Sequence, residues 1–386
     1  MNLKMLVLLV TTDCNLRCRY CYAEAGEKAE YISWEVAKKA LDFVKERSDG
    51  FKIEFSGGEP ILGFDLVRQV ISYTRGWRTS YQLQTNATLI TREVARRIRE
   101  LGIAVGVSLD GLPKFNDPLR PFPDGRGSTV EAIDGISNLA KEGVRVGMTC
   151  VLSEENVRGL PGLVELASYL GNVEGISIDV LRPIGRGKGV GEADPILASY
   201  FVELALERAD ELASLGGKRV AFREVERIRY LLDHGLKRRY RCYLDAEAQL
   251  VVKPNGDVYP CASLANFPEF RLGNVLDQGL DGRIDDNMRR CRELIAPLPR
   301  CLACPWHWLC GGPCPAQIYV QRLTKGDGLV ECYVRRTFIG YVTKRRTRDE
   351  EPMFQEGRRY EGMPGRLPGG GSKGRKQLWS PRRRRW

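Results

Sequence analysis

The first half of the chain alternates strand-like and helix-like segments, and this alternation restricts its fold more than any other feature. Strand-like runs lie at Leu6–Thr11, Lys52–Ser56, Tyr81–Thr85, Ile103–Leu109, Val144–Leu152 and Ile176–Leu181. Helix-like segments separate them at Ser33–Arg47, Phe64–Arg75, Thr91–Leu101, Thr129–Glu142 and Val157–Leu170. Ser33 stands before Val36, Ala37, Ala40, Leu41 and Val44, an apolar stripe at helical spacing behind a good N-cap. Such alternation calls for a parallel sheet with crossover helices. Six strands fit an open or partial barrel.

Most of these strands also alternate within themselves. Side chains one apart on a strand point to opposite faces. One face carries Phe51, Ile53 and Phe55, then Leu83, then Ile103 to Leu109, Val144 to Cys150 and Ile176 to Val180 in steps of two. The other carries Glu54 and Ser56, Gln82, Gln84 and Asn86, Ser108 and Asp110, Arg145 and Thr149, and Ser177 and Asp179. Strands buried on both faces normally read as continuous apolar runs, and a filled barrel carries Val, Ile and Leu inside. The polar face therefore predicts a cavity for a large polar ligand.

Twelve cysteines and only two histidines narrow the chemistry. Sites built on several imidazoles are nearly excluded, and soft thiolates suit iron–sulfur clusters or structural zinc. Disulfides belong to oxidising compartments and mostly to small secreted domains, whereas this chain has 386 residues. The apolar run Met5–Val10 is too short for a signal-peptide core, and no stretch approaches the ~20 apolar residues of a membrane span. We therefore expect a cytoplasmic protein with reduced thiols and no membrane association. The net charge of +11 is concentrated partly in the Gly-, Pro- and Arg-rich stretch 349–386, where the composition predicts disorder. A solvated tail is the simpler reading of that stretch, so nucleic acid is not an expected partner.

Cys14, Cys18 and Cys21 follow the first strand on one short loop, where a barrel places its active site. A [4Fe–4S] cluster normally takes four cysteines, so three leave one iron open for a ligand. A zinc site or a buried group of small cysteines are the alternatives, although structural zinc takes four ligands and no fourth is local. Gly57, Gly58 and Glu59 end the second strand. The glycines permit close approach of backbone to a ligand, and the carboxylate suits an ammonium group. Asn86 ends the third strand, and Ser108 and Asp110 end the fourth; these polar groups suit a ligand with hydroxyls.

At these residues the sequence resembles the radical S-adenosylmethionine (SAM) superfamily. The loop matches its Cys-x3-Cys-x2-Cys motif, with Tyr20 before the last cysteine, and Gly57-Gly58-Glu59 is similar to the segment that holds the SAM amino group. Asn86 and Ser108 resemble ribose-contacting positions. The resemblance implies a partial (β/α)6 barrel over residues 1–215 and a [4Fe–4S] cluster that binds and cleaves SAM. A 5′-deoxyadenosyl radical would follow, taking a hydrogen atom from a substrate. A low-potential electron donor such as ferredoxin or flavodoxin would be needed.

Residues 193–237 read as helical linking segments, and from Arg241 the pattern turns to short strands and cysteines. Cys242, Cys261, Cys301, Cys304, Cys310, Cys314 and Cys332 follow. Spacing alone leaves a zinc-ribbon-like module open. The order of all seven, with Pro254–Cys261 and Leu272–Val275, resembles the SPASM domain. That resemblance implies a domain over 216–345, before a tail at 346–386, and two auxiliary [4Fe–4S] clusters. Cys301, Cys304, Cys310 and Cys332 would hold one cluster. Cys242, Cys261 and Cys314 would hold part of the other, whose fourth cysteine has no counterpart in 233–240. Cys291 suits a surface or packing role, and Cys150 the core.

SPASM-bearing relatives often modify peptides or proteins, so a peptide or protein substrate is expected. No leader-binding segment precedes the first strand, which implies a separate presenting partner. Sulfatase maturases carry an Asp where this chain has Ala262, which counts against that chemistry. Small-molecule chemistry and tungsten or haem cofactor maturation remain alternatives. Two readings come from other classes. An iron–sulfur electron-transfer protein would not need Gly57-Gly58-Glu59 beside three cysteines. A zinc- or nucleic-acid-binding regulator would bind zinc rather than iron and respond to salt.

Overall fold

The computed structural model describes residues 2–324 and 326–349. The expected basic tail at 346–386 lies almost wholly outside the described residues. Strands β1 (Met5–Thr11), β2 (Phe51–Gly57), β3 (Thr79–Thr85), β4 (Ala104–Ser108), β5 (Val146–Leu152) and β6 (Val173–Val180) occupy the six expected positions. Four short strands follow: β7 (Ala221–Phe222), β8 (Gln249–Val252), β9 (Asp257–Tyr259) and β10 (Gly273–Asn274). All ten form one open sheet in the order β10-β9-β8-β1-β2-β3-β4-β5-β6-β7. Pairing is parallel from β8 to β7 and antiparallel only in the β8-β9-β10 hairpins.

The helices form where the sequence places them. Ser33 caps Trp34–Lys45 by accepting the Val36 N–H at 3.2 Å, and Thr91 caps Arg92–Glu100 through the Val94 N–H. Helices Phe64–Tyr73, Thr129–Lys141 and Leu160–Leu170 complete the crossovers. A short helix at Pro113–Leu119, with Pro118 inside it, was not expected from the pattern. The linking region forms helices Pro195–Ser214 and Arg223–Asp233. Among the described residues, no helix is long and apolar enough to cross a membrane.

The two strand faces separate largely as predicted, except that Asn86 and Asp110 of the polar face are buried and Ile178 of the apolar face is only partly so. Phe51, Ile53, Phe55, Leu83, Val105, Val107, Met148 and Cys150 are buried against the helices. Glu54, Ser56, Gln82, Gln84, Ser108, Thr149, Ser177 and Asp179 keep part of their surface. Sheet and core both run past residue 215. β8 lies beside β1 with Val251 opposite Val7, and one apolar cluster extends from Leu3 to Val342. The cysteine-rich segment thus begins as an extension of the sheet on the side of β1 away from β2.

Phe55 is completely buried at the centre of this core. Phe55→Ala is expected to lower stability by about 3–5 kcal/mol. A lower denaturant midpoint at unchanged m-value checks this.

Candidate radical-cluster and auxiliary-cluster site

The loop after β1 brings Cys14, Cys18 and Cys21 together, all half-buried. Burial pushes the Cys14 thiol up to about 12, and negative charge on Cys18, Glu59 and Cys21 adds to the shift. Cys18 is raised as well, by burial first and by Cys21 and Asp110 among its neighbours, while Arg120 opposes the shift. Three thiolates held this close repel one another, and a bound cationic iron core relieves that repulsion. Structural zinc takes four ligands, and this loop offers three thiolates. A cubane spreads its thiolates over separate irons, so this donor set fits a cluster better than structural zinc.

The glycines after β2 serve the loop itself. A Cβ on Gly58 would stand 1.9 Å from the Asp13 carbonyl oxygen. One on Gly57, whose φ is +125°, would stand 2.3 Å from that of Thr11. The close approach foreseen at these positions is therefore to the cysteine loop's own backbone. The Gly58 and Glu59 N–H groups donate to Thr11 and Asp13 at 2.7 and 2.8 Å, tying β2 to the loop. Glu59 is buried. One carboxylate oxygen accepts from the Thr85 hydroxyl at 2.7 Å and the Ile61 N–H at 3.1 Å; the other accepts the Asn86 N–H at 2.8 Å. It clamps the ends of β2 and β3 together, and its second oxygen retains a lone pair. Burial raises its pKa, and these hydrogen bonds oppose the shift.

Asn86 donates to Asn15 at 2.9 Å, lies 4.0 Å from the Cys14 sulfur, and accepts from the Thr88 N–H and hydroxyl. The Ser108 hydroxyl accepts from Gln84 at 3.2 Å and stays partly exposed. Asp110 is buried; one oxygen accepts the Tyr20 hydroxyl and the other the Val151 N–H at 2.8 Å. Arg120, 7 % exposed at its side chain, donates to the Tyr20 oxygen and lies 4.0 Å from Asp110. Burial raises the Asp110 pKa, and Arg120 opposes the rise. Arg17 and Arg19 N–H groups bond to the Pro121 and Leu119 carbonyls, so the segment carrying Arg120 also holds the loop backbone. Sequence reasoning missed Arg120, because nothing local marks it as the partner of Tyr20. Arg17 and Arg186 were missed as well: they donate to the carbonyls of Cys14 and Cys18 at 2.7 and 3.0 Å.

Six of the seven C-terminal cysteines fall into two groups, and Cys310, expected beside Cys301, Cys304 and Cys332, has charged neighbours instead. Cys242, Cys261 and Cys314 lie within mutual electrostatic reach, and burial pushes Cys261 up to about 12. Cys301, Cys304 and Cys332 form the second group. The Cys310 thiol, pushed up by burial to about 11, faces Arg241, Glu331 and Arg238. Each group repeats the repelling-thiolate chemistry of the first loop. Cys150 and Cys291 are buried and belong to the apolar core.

Comparison with known proteins agrees with this geometry. Residues 8–167 match the family model for the radical SAM superfamily, and 242–305 match that of an iron–sulfur cluster-binding domain, SPASM. The mycofactocin maturase MftC of Mycobacterium tuberculosis is 30% identical over 329 residues, 84% of this chain and 81% of that protein. The Fe-coproporphyrin III synthase of Methanosarcina barkeri is 34% identical over 212 residues, 54% of this chain and 52% of that one. The solved chain anSMEcpe, with bound AdoMet and the Cp18Cys peptide, superposes with a TM-score of 0.75 at 22% identity, covering 90% of this chain and 99% of that one. The three-cysteine loop at the end of β1, the mostly parallel sheet and the second cysteine region agree with these matches, and the chain belongs to the radical SAM superfamily, as an enzyme with SAM and iron–sulfur cofactors and a C-terminal SPASM domain for auxiliary clusters.

Proposed function

We propose that this enzyme abstracts a hydrogen atom from a peptide or protein substrate, as a maturase. Likeness over 84% of the chain to a relative named as a maturase, MftC, carries the reading, and the solved anSMEcpe chain of similar fold holds a peptide. The half-exposed polar face of β2 to β6 is suited to an extended polar substrate. Ala262, in the turn after Cys261, supplies no titratable group, which counts against sulfatase maturation. A second reading, tetrapyrrole chemistry, is favoured by the likeness to the Fe-coproporphyrin III synthase.

In this proposal Cys14, Cys18 and Cys21 hold the SAM-binding cluster. Gly57, Gly58, Glu59, Asn86 and Ser108 form the SAM-facing rim, and Asp110 acts on it through Tyr20. Cys242, Cys261 and Cys314 serve one auxiliary cluster, and Cys301, Cys304, Cys310 and Cys332 the other. When bound, the first cluster and SAM supply the 5′-deoxyadenosyl radical. The chain's own part is to fix the loop: Arg17 and Arg186 hold its carbonyls, Tyr20 locks it to Asp110, and the sheet excludes water from one side. A low-potential electron donor is part of the proposal.

The substrate class is tested with the anaerobically reconstituted full chain, SAM, dithionite and size-fractionated cell extract. Stimulation of 5′-deoxyadenosine formation that protease treatment abolishes is expected. Stimulation that survives protease and follows a tetrapyrrole-containing fraction of the extract overturns the peptide reading. Cys18→Ala is expected to bring 5′-deoxyadenosine to background and remove about four irons per chain, one cubane's worth, by metal counting. Gly58→Ala is expected to lose the same cluster while Gly147→Ala, whose Cβ meets open space, retains it. Tyr20→Phe leaves Asp110 short of a donor and is expected to cost about 1–3 kcal/mol of stability by denaturant titration.

A further inference from the structure

The segment after β6 touches both metal-binding regions. Its Arg186 end is bound to the first cysteine loop: the N–H donates to the Cys21 carbonyl at 3.2 Å and the guanidinium to that of Cys18. Gly185 lies so close that a Cβ there would stand 2.7 Å from the Cys21 oxygen. The other end, Arg182, turns toward the C-terminal cysteines. Its guanidinium donates to the Cys314 sulfur at 3.7 Å, and Cys261 lies within its electrostatic reach. Gln317, one helical turn beyond Cys314, donates to the Leu181 carbonyl at 3.2 Å and anchors that contact. Arg182 is only 13% exposed at its side chain, its Nε has no partner, and its ion pair with Asp179 is long, at 3.6 Å. A buried guanidinium whose shortest contact to acid is that long leaves much of its charge for the thiolates.

We infer that Arg182 sets the reduction potential of the auxiliary cluster held by Cys242, Cys261 and Cys314, an inference that rests on the ligand assignment proposed above. Hydrogen bonds and positive charge at ligating sulfurs stabilise the reduced, more negative cluster and raise its potential. Arg182 donates directly to a sulfur of this group, whereas Arg241, which reaches Cys242 and Cys314 electrostatically, is paired with Glu331. Because Arg182 follows the sheet's last long strand and does not belong to the cysteine-rich segment, the potential of this cluster depends on how the two parts pack. Asp179 moderates the effect by compensating part of the guanidinium charge.

The test is an EPR-monitored redox titration of the reconstituted full chain, read with iron counting. SAM perturbs only the signal of the cluster at Cys14, Cys18 and Cys21, so the auxiliary signals are those it leaves unchanged. Arg182→Gln is expected to lower one auxiliary potential by at least a tenfold change in the reduction equilibrium, about 59 mV for one electron. Arg182→Lys recovers part of it. Asp179→Asn, which keeps the arginine but removes its counter-charge, moves the same potential upward. Opposite shifts from neighbouring substitutions are not produced by a merely structural role. Full iron with unchanged potentials in Arg182→Gln overturns the inference. If that variant fails to load the cluster, an unchanged potential in Asp179→Asn overturns it. An iron content in wild type lower by one cubane instead overturns the ligand assignment itself.

Discussion

Three sulfur atoms that repel one another when ionised must be held on one loop of eight residues, Cys14 to Cys21, and much of the surrounding structure follows from that constraint. The loop has no regular secondary structure to stiffen it, so rigidity comes from outside. β2 delivers a stretch without side chains against Thr11 and Asp13. Arg17 and Arg186 fasten its carbonyls. From the far side, Tyr20 reaches a buried acid and a buried base contributed by the region after β4. Each member of that Tyr20–Asp110–Arg120 group is costly to bury alone and tolerable only together, since removing one partner of a buried ion pair strands the other.

The C-terminal cysteines solve the same problem differently. Cys242 stands at the start of the turns that lead into β8, Cys261 just after β9, and Cys314 just before the helix Pro315–Thr324. Their convergence therefore depends on the hairpin being docked beside β1. The second group depends less on the sheet: Cys301 and Cys304 sit in or beside a single short helical turn, and Cys332 lies on the helix Leu329–Asp349. Glu331, next to Cys332, accepts the Cys314 N–H at 3.0 Å and so joins the two groups. Arg335 and Arg241 compensate its buried charge.

Six strands and five helices were legible because most write a repeat of two or of about 3.6, as Phe51–Gly57 and Trp34–Lys45 do, and β1 stands out as a short apolar run. β7 and β10 have two residues each, too few for any repeat to register. β8 is a run of buried apolar residues whose partner lies far away in sequence, so nothing local said that it joins β1. At the site, residue identity and position on a strand end were readable, but engagement was not. Glu59 and Asp110 look alike in sequence as carboxylates at the mouth of a polar face. Packing then gives Glu59 to the ends of neighbouring strands and Asp110 to a tyrosine 90 residues earlier. Arg120 and Arg182 carry no motif, and their importance exists only in three dimensions.

The seat of β8 beside β1 also has a consequence for biosynthesis. β1 leaves the ribosome before the rest of this sheet and is almost wholly apolar, yet one of its two neighbours is encoded about 240 residues later. At ordinary elongation rates of roughly 5–20 residues per second, that edge waits tens of seconds for its partner. An unpaired apolar strand edge is an invitation to pair with another chain. Until the cysteine-rich segment emerges, that edge of the nascent sheet stays open, and the auxiliary sites, whose cysteines lie in that segment, can take up iron only afterwards.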